Sequence, residues 1–344
     1  MSAPSAAPSA THGAVHGDAP LIACDAAPQP EGTEARFLAA TDGARIRVVR
    51  YPLPHGRARR GTVLIHPGWS EFAEKYVEVA SDLHVRGFGV VVMDPRGQGY
   101  SQRLAGEDRR GHIDDFAKFV GDLDVVMDHV RATEPGPHAL LAHSMGGLIA
   151  LEWLAGGRGC DLSGVTLCAP LTNLFRSPVK AAFIGSVLMA GKLLGRGAEA
   201  LPGIEEHSWR FEGNVLTQDA ARHERFRRLQ LAAPEAVAGH PKFDWLHAAL
   251  AGMRRIQAEG ALDGVRGPIL LVSAERDETV DAIHHGELAA RYPGLFAYVR
   301  IEGARHEILM EADRYRDRFF AAFDQYMDAR LPASSKAASS VPRT

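Results

Sequence analysis

Short apolar runs rich in β-branched residues recur along the chain, separated by amphipathic segments of helical length. The runs are Ile46–Tyr51, Thr62–Ile65, Gly89–Met93, Ala139–Ala142, Val165–Cys168, Ile269–Ser273 and Phe296–Ile301. Most are apolar at nearly every position, as strands covered on both faces are. Between them, Lys75–Val85 and Phe116–Val130 carry helical spacing. In the second, Phe116, Phe119, Val120, Leu123, Val126, Met127 and Val130 fall along one stripe. Strand alternating with helix predicts an α/β fold around a mainly parallel sheet.

The alternation stops between about Leu171 and Leu262. Helical patterns continue there without a credible strand until Pro268 opens the next one, so 171–261 reads as a helical insertion dividing a core of 35–170 and 262–331. Its first part, Ser177–Arg196, alternates apolar residues such as Phe183, Ile184, Val187 and Leu188 with small ones and carries Lys180 and Lys192 towards its ends. One reading is a helix packed on the core. The other is a mobile lid or membrane-touching helix, whose apolar face, with Phe183 and Leu188, binds an acyl chain. The flanks, 1–34 and 332–344, are rich in Ala, Pro and Ser without periodicity and read as disordered, solvated tails.

Composition narrows the classes. With 46% hydrophobic and 24% charged residues the 344-residue chain is globular rather than disordered or fibrous. A net charge of −3 supplies no basic field for nucleic acid, which is excluded as a partner. The 3 cysteines, Cys24, Cys160 and Cys168, show neither disulfide-framework nor metal-ligand spacing, so no metal is expected and a reducing, cytoplasmic location is. The start of the chain has no secretory pattern, and the longest uncharged apolar stretch, Ala181–Gly191, falls short of the roughly 20 residues of a spanning helix. Asp94–Ser101 contains Gly-x-Gly but lacks the third glycine of a dinucleotide fingerprint, so no cofactor is expected. Asp94 and Arg96 read as residues that hold their own loop.

The chemistry concentrates in Ala142-His143-Ser144-Met145-Gly146-Gly147, which follows an apolar strand and opens a helical segment. A serine on a strained strand-to-helix turn leaves no room two residues to either side, and Ala142 and Gly146 meet that demand. The helix that follows aims its positive end and its first amides at a developing oxyanion. Such a serine needs a base, and the base an orienting acid, each on a loop after a late strand. His306, in Glu302–Ile308 past the last apolar run, fits the base. The other downstream histidines fall in the insertion or, as His284 and His285, in an expected surface helix. Asp277 fits the acid, with Glu275 and Asp281 as competitors on the same loop. The expected oxyanion donors are the backbone amides of Trp69, in the turn after Thr62–Ile65, and of Met145.

Taken together, Pro67-Gly68-Trp69-Ser70-Glu71, Asp94-x-Arg96-Gly97-Gln98-Gly99-x-Ser101, Gly111-His112-Ile113, Leu141-Ala142-His143-Ser144-Met145-Gly146-Gly147 and Gly303-Ala304-Arg305-His306-Glu307-Ile308-Leu309 resemble the bacterial lysophospholipases within the monoacylglycerol-lipase-like (serine aminopeptidase S33-type) α/β-hydrolases. In the insertion, Trp209-Arg210, Asn214–Thr217 and Arg225-x-Arg227-Arg228 are similar to the cap of those enzymes. The resemblance spans about Arg36 to Tyr326. It implies an α/β-hydrolase fold with a helical cap after the sixth strand, and a carboxyl-ester substrate with one acyl chain and a glycerol or glycerophospho leaving group. The family's nucleophile, base and acid fall on Ser144, His306 and Asp277. Other chemistries on this scaffold, such as peptidase, C–C hydrolase or small-ester esterase, share the fold and triad, and a hydrolase-derived binding protein would keep the pocket.

Overall fold

The computed structural model describes residues 15–104, 112–199, 210–239 and 241–331. A nine-stranded sheet forms its centre, ordered β1-β2-β3-β5-β4-β6-β7-β8-β9. The strands are β1 (Val15–Asp18), β2 (Glu34–Ala39), β3 (Arg45–Tyr51), β4 (Gly61–His66), β5 (Phe88–Met93), β6 (His138–His143), β7 (Gly164–Cys168), β8 (Ile269–Ala274) and β9 (Phe296–Ile301). From β5 through β4, β6, β7 and β8 to β9 every pairing is parallel, while β1, β2 and β3 join antiparallel at one edge. Strands β4, β5, β6, β7 and β8 are buried at almost every position, which is why they read as unbroken apolar runs.

Helices cover both faces. Helix α1 (Val77–Val85) and α8 (Asp313–Asp328) help to close one apolar layer, with Phe72, Phe88, Phe319 and Phe323 buried together; α2 (Ala117–Thr133) and α3 (Met145–Ala155) help to close the other, around Phe119, Leu148 and Trp153. Helix α7 (Ala282–Arg291) lies between β8 and β9 in the chain. It is less superficial than its sequence suggests. His285 is buried and accepts a hydrogen bond from the Ser273 hydroxyl at Nδ1 (2.8 Å) while its Nε2–H donates to the Pro170 carbonyl (2.7 Å). Burial lowers its pKa to about 4, so it is a neutral core group.

Two expectations are corrected at the N-terminal side. Residues 15–34, expected as part of a disordered tail, are folded: β1 pairs with β2, Ile22 and Ala27 are buried, and the Ile22 amide donates to Glu74 (2.9 Å). Strand β1 is only four residues and contains a glycine, too brief to leave a periodic signal. With β1 and β2 counted, the cap follows the seventh strand of this sheet, not the sixth. Residues 1–14 and 332–344 of the expected tails, Gly111, Trp209 and His240 lie outside the described residues.

Between β7 and β8 the chain leaves the sheet, as the lost alternation predicts, and no strand occurs there among the described residues. It forms α4 (Pro178–Leu193), α5 (Ala220–Ala232) and α6 (Phe243–Gln257). Helix α6 packs on α3, where Arg255 reaches Glu152 (2.8 Å), and α4 rests mainly on α6. Helix α4 starts where Ser177 accepts from the Lys180 amide (3.3 Å) and Pro178 occupies the first turn.

Candidate active site

Ser144 sits between β6 and α3 with φ 50° and ψ −116°. A non-glycine residue there is strained, and the surroundings hold it: its amide donates to Cys168 O (3.0 Å), and its carbonyl accepts from Gly147 (2.9 Å) and Leu171 (2.8 Å). The tight neighbours have steric causes. A Cβ on Gly146 would lie 2.4 Å from the His66 carbonyl, and one on Gly68 would lie 3.0 Å from the Ser144 Cβ. Ala142, fully buried, is accommodated where a smaller residue is common.

His306, on the loop after β9, is 2.9 Å from Ser144 Oγ through Nε2 and 2.7 Å from Asp277 Oδ2 through Nδ1. The structure thus brings together all three residues expected to form the triad. Asp277 lies past β8, and its other oxygen accepts from the amides of Thr279 (2.8 Å) and Val280 (3.0 Å). Burial pushes the Asp277 carboxyl up in pKa, but the neighbouring His306 and these amides outweigh it and hold it below the usual carboxylate range. The competitors are engaged elsewhere: Glu275 pairs with Arg300 and Gly303 N, and Asp281 caps α7 and accepts from Asn173.

Trp69 and Met145 line the same cavity as Ser144. The turn carrying Trp69 is fixed on both sides, since Gln98 donates to the Gly68 carbonyl (3.0 Å) and accepts from the Ser70 amide, while the Gly68 amide donates to Glu71 (2.7 Å). Neither the Trp69 nor the Met145 amide has an acceptor among the described residues, which is what donors reserved for a ligand oxygen require. Asp94 and Arg96 play the structural part read from sequence: Asp94 accepts from Arg47 and two backbone amides, and Arg96 bridges Asp42 and Asp122.

The cavity holds about 400 Å³. Its apolar wall is largely cap, with Leu174, Phe175, Leu216, Trp245 and Leu246, and the Trp245 ring lies 4.5 Å from that of Trp69, tilted at 49° to it. Lys180 and Glu278 also line it, exposed and without an ion pair among the described residues. The acyl-binding expectation for Phe183 and Leu188 is corrected. Neither lines this cavity: Phe183 is 68% exposed, and Leu188 is packed into the core. Helix α4 presents Lys180 to the pocket and turns much of its remaining apolar surface outward, so a stripe read from sequence gave its existence but not its direction.

Sequence reasoning missed Glu71, Lys75, His143 and Glu307, all buried beneath the serine. Glu71 and Lys75 are spaced i,i+4, and His143 and Glu307 adjoin Ser144 and His306 in the chain, a signal that was present but unspecific.

A parallel sheet carrying a serine elbow, a histidine after its last strand and a helical cap defines an α/β-hydrolase. The family described as serine aminopeptidase, S33, matches residues 57–313, and the chain belongs to it. It is 34% identical to lysophospholipase L2 of Escherichia coli K12 over 304 residues, 82% of this chain and 84% of that one. It is 29% identical to a probable lysophospholipase L2 of Haemophilus influenzae over 280 residues, 80% of this chain and 86% of the other. A soluble variant of monoglyceride lipase from Saccharomyces cerevisiae, solved with a substrate analogue, superposes with a TM-score of 0.69 at 18% identity, covering 88% of this chain and 98% of that one. The protein is an ester hydrolase.

Proposed function

We propose that the protein hydrolyses carboxylic esters of single-acyl lipids through Ser144, His306 and Asp277. The observation that carries the reading is the unbroken relay of 2.9 Å from Ser144 Oγ to His306 and 2.7 Å from His306 to Asp277. Ser144 Oγ attacks the ester carbonyl as His306 Nε2 takes its proton, and the Trp69 and Met145 amides receive the oxyanion. His306 then protonates the departing alkoxide. Water, deprotonated by the same nitrogen, releases the acyl group. Asp277 holds Nδ1–H in place and stabilises the transient imidazolium.

The apolar cap wall supports an acyl chain rather than a peptide. Lys180, a cation at the same cavity with no ion pair among the described residues, supports a glycerophospho leaving group over plain glycerol, because its ammonium can meet the phosphodiester. Val179, Phe183, Leu193 and Leu194 leave the apolar face of α4 open beside Lys180 and Lys192, a pattern suited to resting on an anionic membrane surface. No helix among the described residues is long and apolar enough to cross a membrane. We place the protein in the cytoplasm, drawing substrate from the inner membrane face.

Labelling by a fluorophosphonate probe, mapped by mass spectrometry, tests the nucleophile, and modification at any residue other than Ser144 would refute it. A panel of lysophospholipids, monoacylglycerols, short p-nitrophenyl esters and aminoacyl anilides tests the substrate class. Fastest turnover of the anilides would favour a peptidase instead.

A further inference from the structure

Beneath Ser144 lies a set of charges the triad does not use. Glu71, Lys75, His143 and Glu307 are each 8% exposed or less. Lys75 Nζ is 2.7 Å from an oxygen of Glu71 and 2.7 Å from one of Glu307. His143 Nδ1 is 3.1 Å from the same Glu71 oxygen, an ion-pair distance outside hydrogen-bond geometry, and its Nε2 is 3.4 Å from the His306 carbonyl. The second Glu71 oxygen accepts from Tyr76 (2.5 Å) and from the Gly68 amide (2.7 Å). Glu71, His143 and Glu307 are spaced as metal ligands could be, but the Lys75 ammonium already fills the space between the two carboxylates.

Burying an ion costs several kcal/mol unless partners compensate it, so four together must balance. Two carboxylates against Lys75 alone leave one negative charge, and a charged His143 cancels it. The ring's contacts agree. Each nitrogen has an oxygen within 3.4 Å that carries no proton, a carboxylate beside Nδ1 and a backbone carbonyl beside Nε2, and a neutral imidazole would set its bare lone pair near one of them. The cluster also joins three loops: Glu71 holds the turn of Trp69, His143 precedes Ser144, and Glu307 follows His306.

We propose that His143 is held as a buried imidazolium, and that through it Glu71, Lys75 and Glu307 position the base loop and the oxyanion turn around Ser144. The role in positioning rests on the serine-hydrolase reading above. Burial pulls the His143 pKa down, yet the charges of Glu71 and Glu307 outweigh it and leave it raised, and the same neighbours keep Lys75 raised. The titratable groups nearest the ring are Glu71 and Lys75 from the segment before α1, and His306 and Glu307 from the loop after β9.

Histidine-selective nitrogen NMR on the Ser144→Ala protein reads the charge without catalysis, the signal being assigned by its loss in His143→Gln. Both His143 nitrogens should remain protonated past pH 6.5, the ordinary midpoint, roughly. In the Glu307→Gln, Ser144→Ala protein the ring should lose its second proton at about tenfold higher proton concentration or less, that is at lower pH. In the protein with its serine intact, Glu307→Gln should lower kcat about tenfold with KM nearly unchanged and move the alkaline limb of kcat to lower pH. A single protonated nitrogen on His143 at pH 6 overturns the proposal, as does a folded Glu307→Gln enzyme with wild-type kcat and pH limb. If the serine-hydrolase reading itself fails, wild-type protein escapes fluorophosphonate labelling while the His143 spectrum stays readable.

Discussion

The floor of the cavity and its roof are built on opposite plans. The floor comes from core loops: Ser144 is locked by backbone hydrogen bonds to Cys168, Gly147, Leu148 and Leu171, and the residues under it are buried and joined by charge. The roof comes from the cap, and it is uneven. Its α5 side is tied down by ions, with Arg222 and Arg225 on Glu78 of α1, joined there by Arg316 of α8, while Thr217 and Gln218 bond Glu311. Its α4 side rests on α6 and leaves much of its apolar face open. A floor fixed in this way supplies reaction geometry common to all esters, whereas a roof with one anchored and one open side can govern which ester enters. Changes in the floor should therefore cost every substrate alike, and changes in the roof should separate substrates.

The largest effect belongs to the floor. Ser144→Ala or His306→Ala should lower kcat by roughly 10⁴-fold or more on lysophospholipids and short p-nitrophenyl esters equally, with an unchanged circular dichroism spectrum, because the pair acts as a unit. Asp277→Asn should cost roughly 10³–10⁴-fold, since an amide beside Nδ1 no longer secures the tautomer. Unequal losses across the ester panel would break the division between floor and roof.

Next comes the anchor of the roof. Burial pushes Glu78 up in pKa, but its bonds to Arg222 and Arg225 prevail and bring it down to about 2. A carboxyl depressed in the folded state contributes stability that is present above its unfolded value, about 4.5, and is lost as pH falls through about 2. Glu78→Gln should destabilise the protein at pH 7 by on the order of 2 kcal/mol in urea melts. The gap from wild type should narrow between pH 4.5 and pH 2. A gap that stays constant down to pH 2 would mean the arginines dock the cap without this carboxylate.

The same division explains what could be read in the sequence. The parallel strands and the serine elbow were legible because both are local: apolar runs announce two-sided burial, and the elbow's small residues sit two positions from the serine they serve. Asp277 and His306 were legible through their order along the chain, each just past a strand. The charged floor was not, because Glu71, Lys75 and Glu307 look in sequence like any solvated polar residues. Only the convergence of three loops buries them. The outward turn of α4 escaped for a related reason, since Phe183 and Leu188 belong to one apolar pattern, yet packing on α6 leaves the first outside and takes the second in. Strand β2 escaped because it spans only six residues, Glu34–Ala39, and adjoins a stretch whose composition reads as a tail.

A smaller effect is expected at the pocket mouth. Lys180→Met should reduce kcat/KM for lysophospholipids about tenfold and for monoacylglycerols hardly at all, the loss expected for one charge-assisted contact at an open site. Equal losses on both substrates would assign Lys180 to packing against Phe175, whose ring centre its ammonium approaches to 5.6 Å.

The smallest effect tests the open side of the roof. Phe183 and Leu193 are 68% and 80% exposed, so replacing both by Ser removes no internal contact of consequence and should leave the melting temperature and the turnover of soluble short esters unchanged. If α4 rests on a membrane, the double variant should bind anionic vesicles several-fold more weakly in sedimentation and lose activity only on substrate presented in those vesicles, because a side chain resting at the headgroup boundary realises only a fraction of the roughly 1.5–3 kcal/mol of full burial. Weaker binding with unchanged vesicle activity would separate docking from substrate entry. Unchanged binding would leave the apolar face of α4 without a lipid role, and the roof would then select its substrate through Lys180 and the cap wall alone.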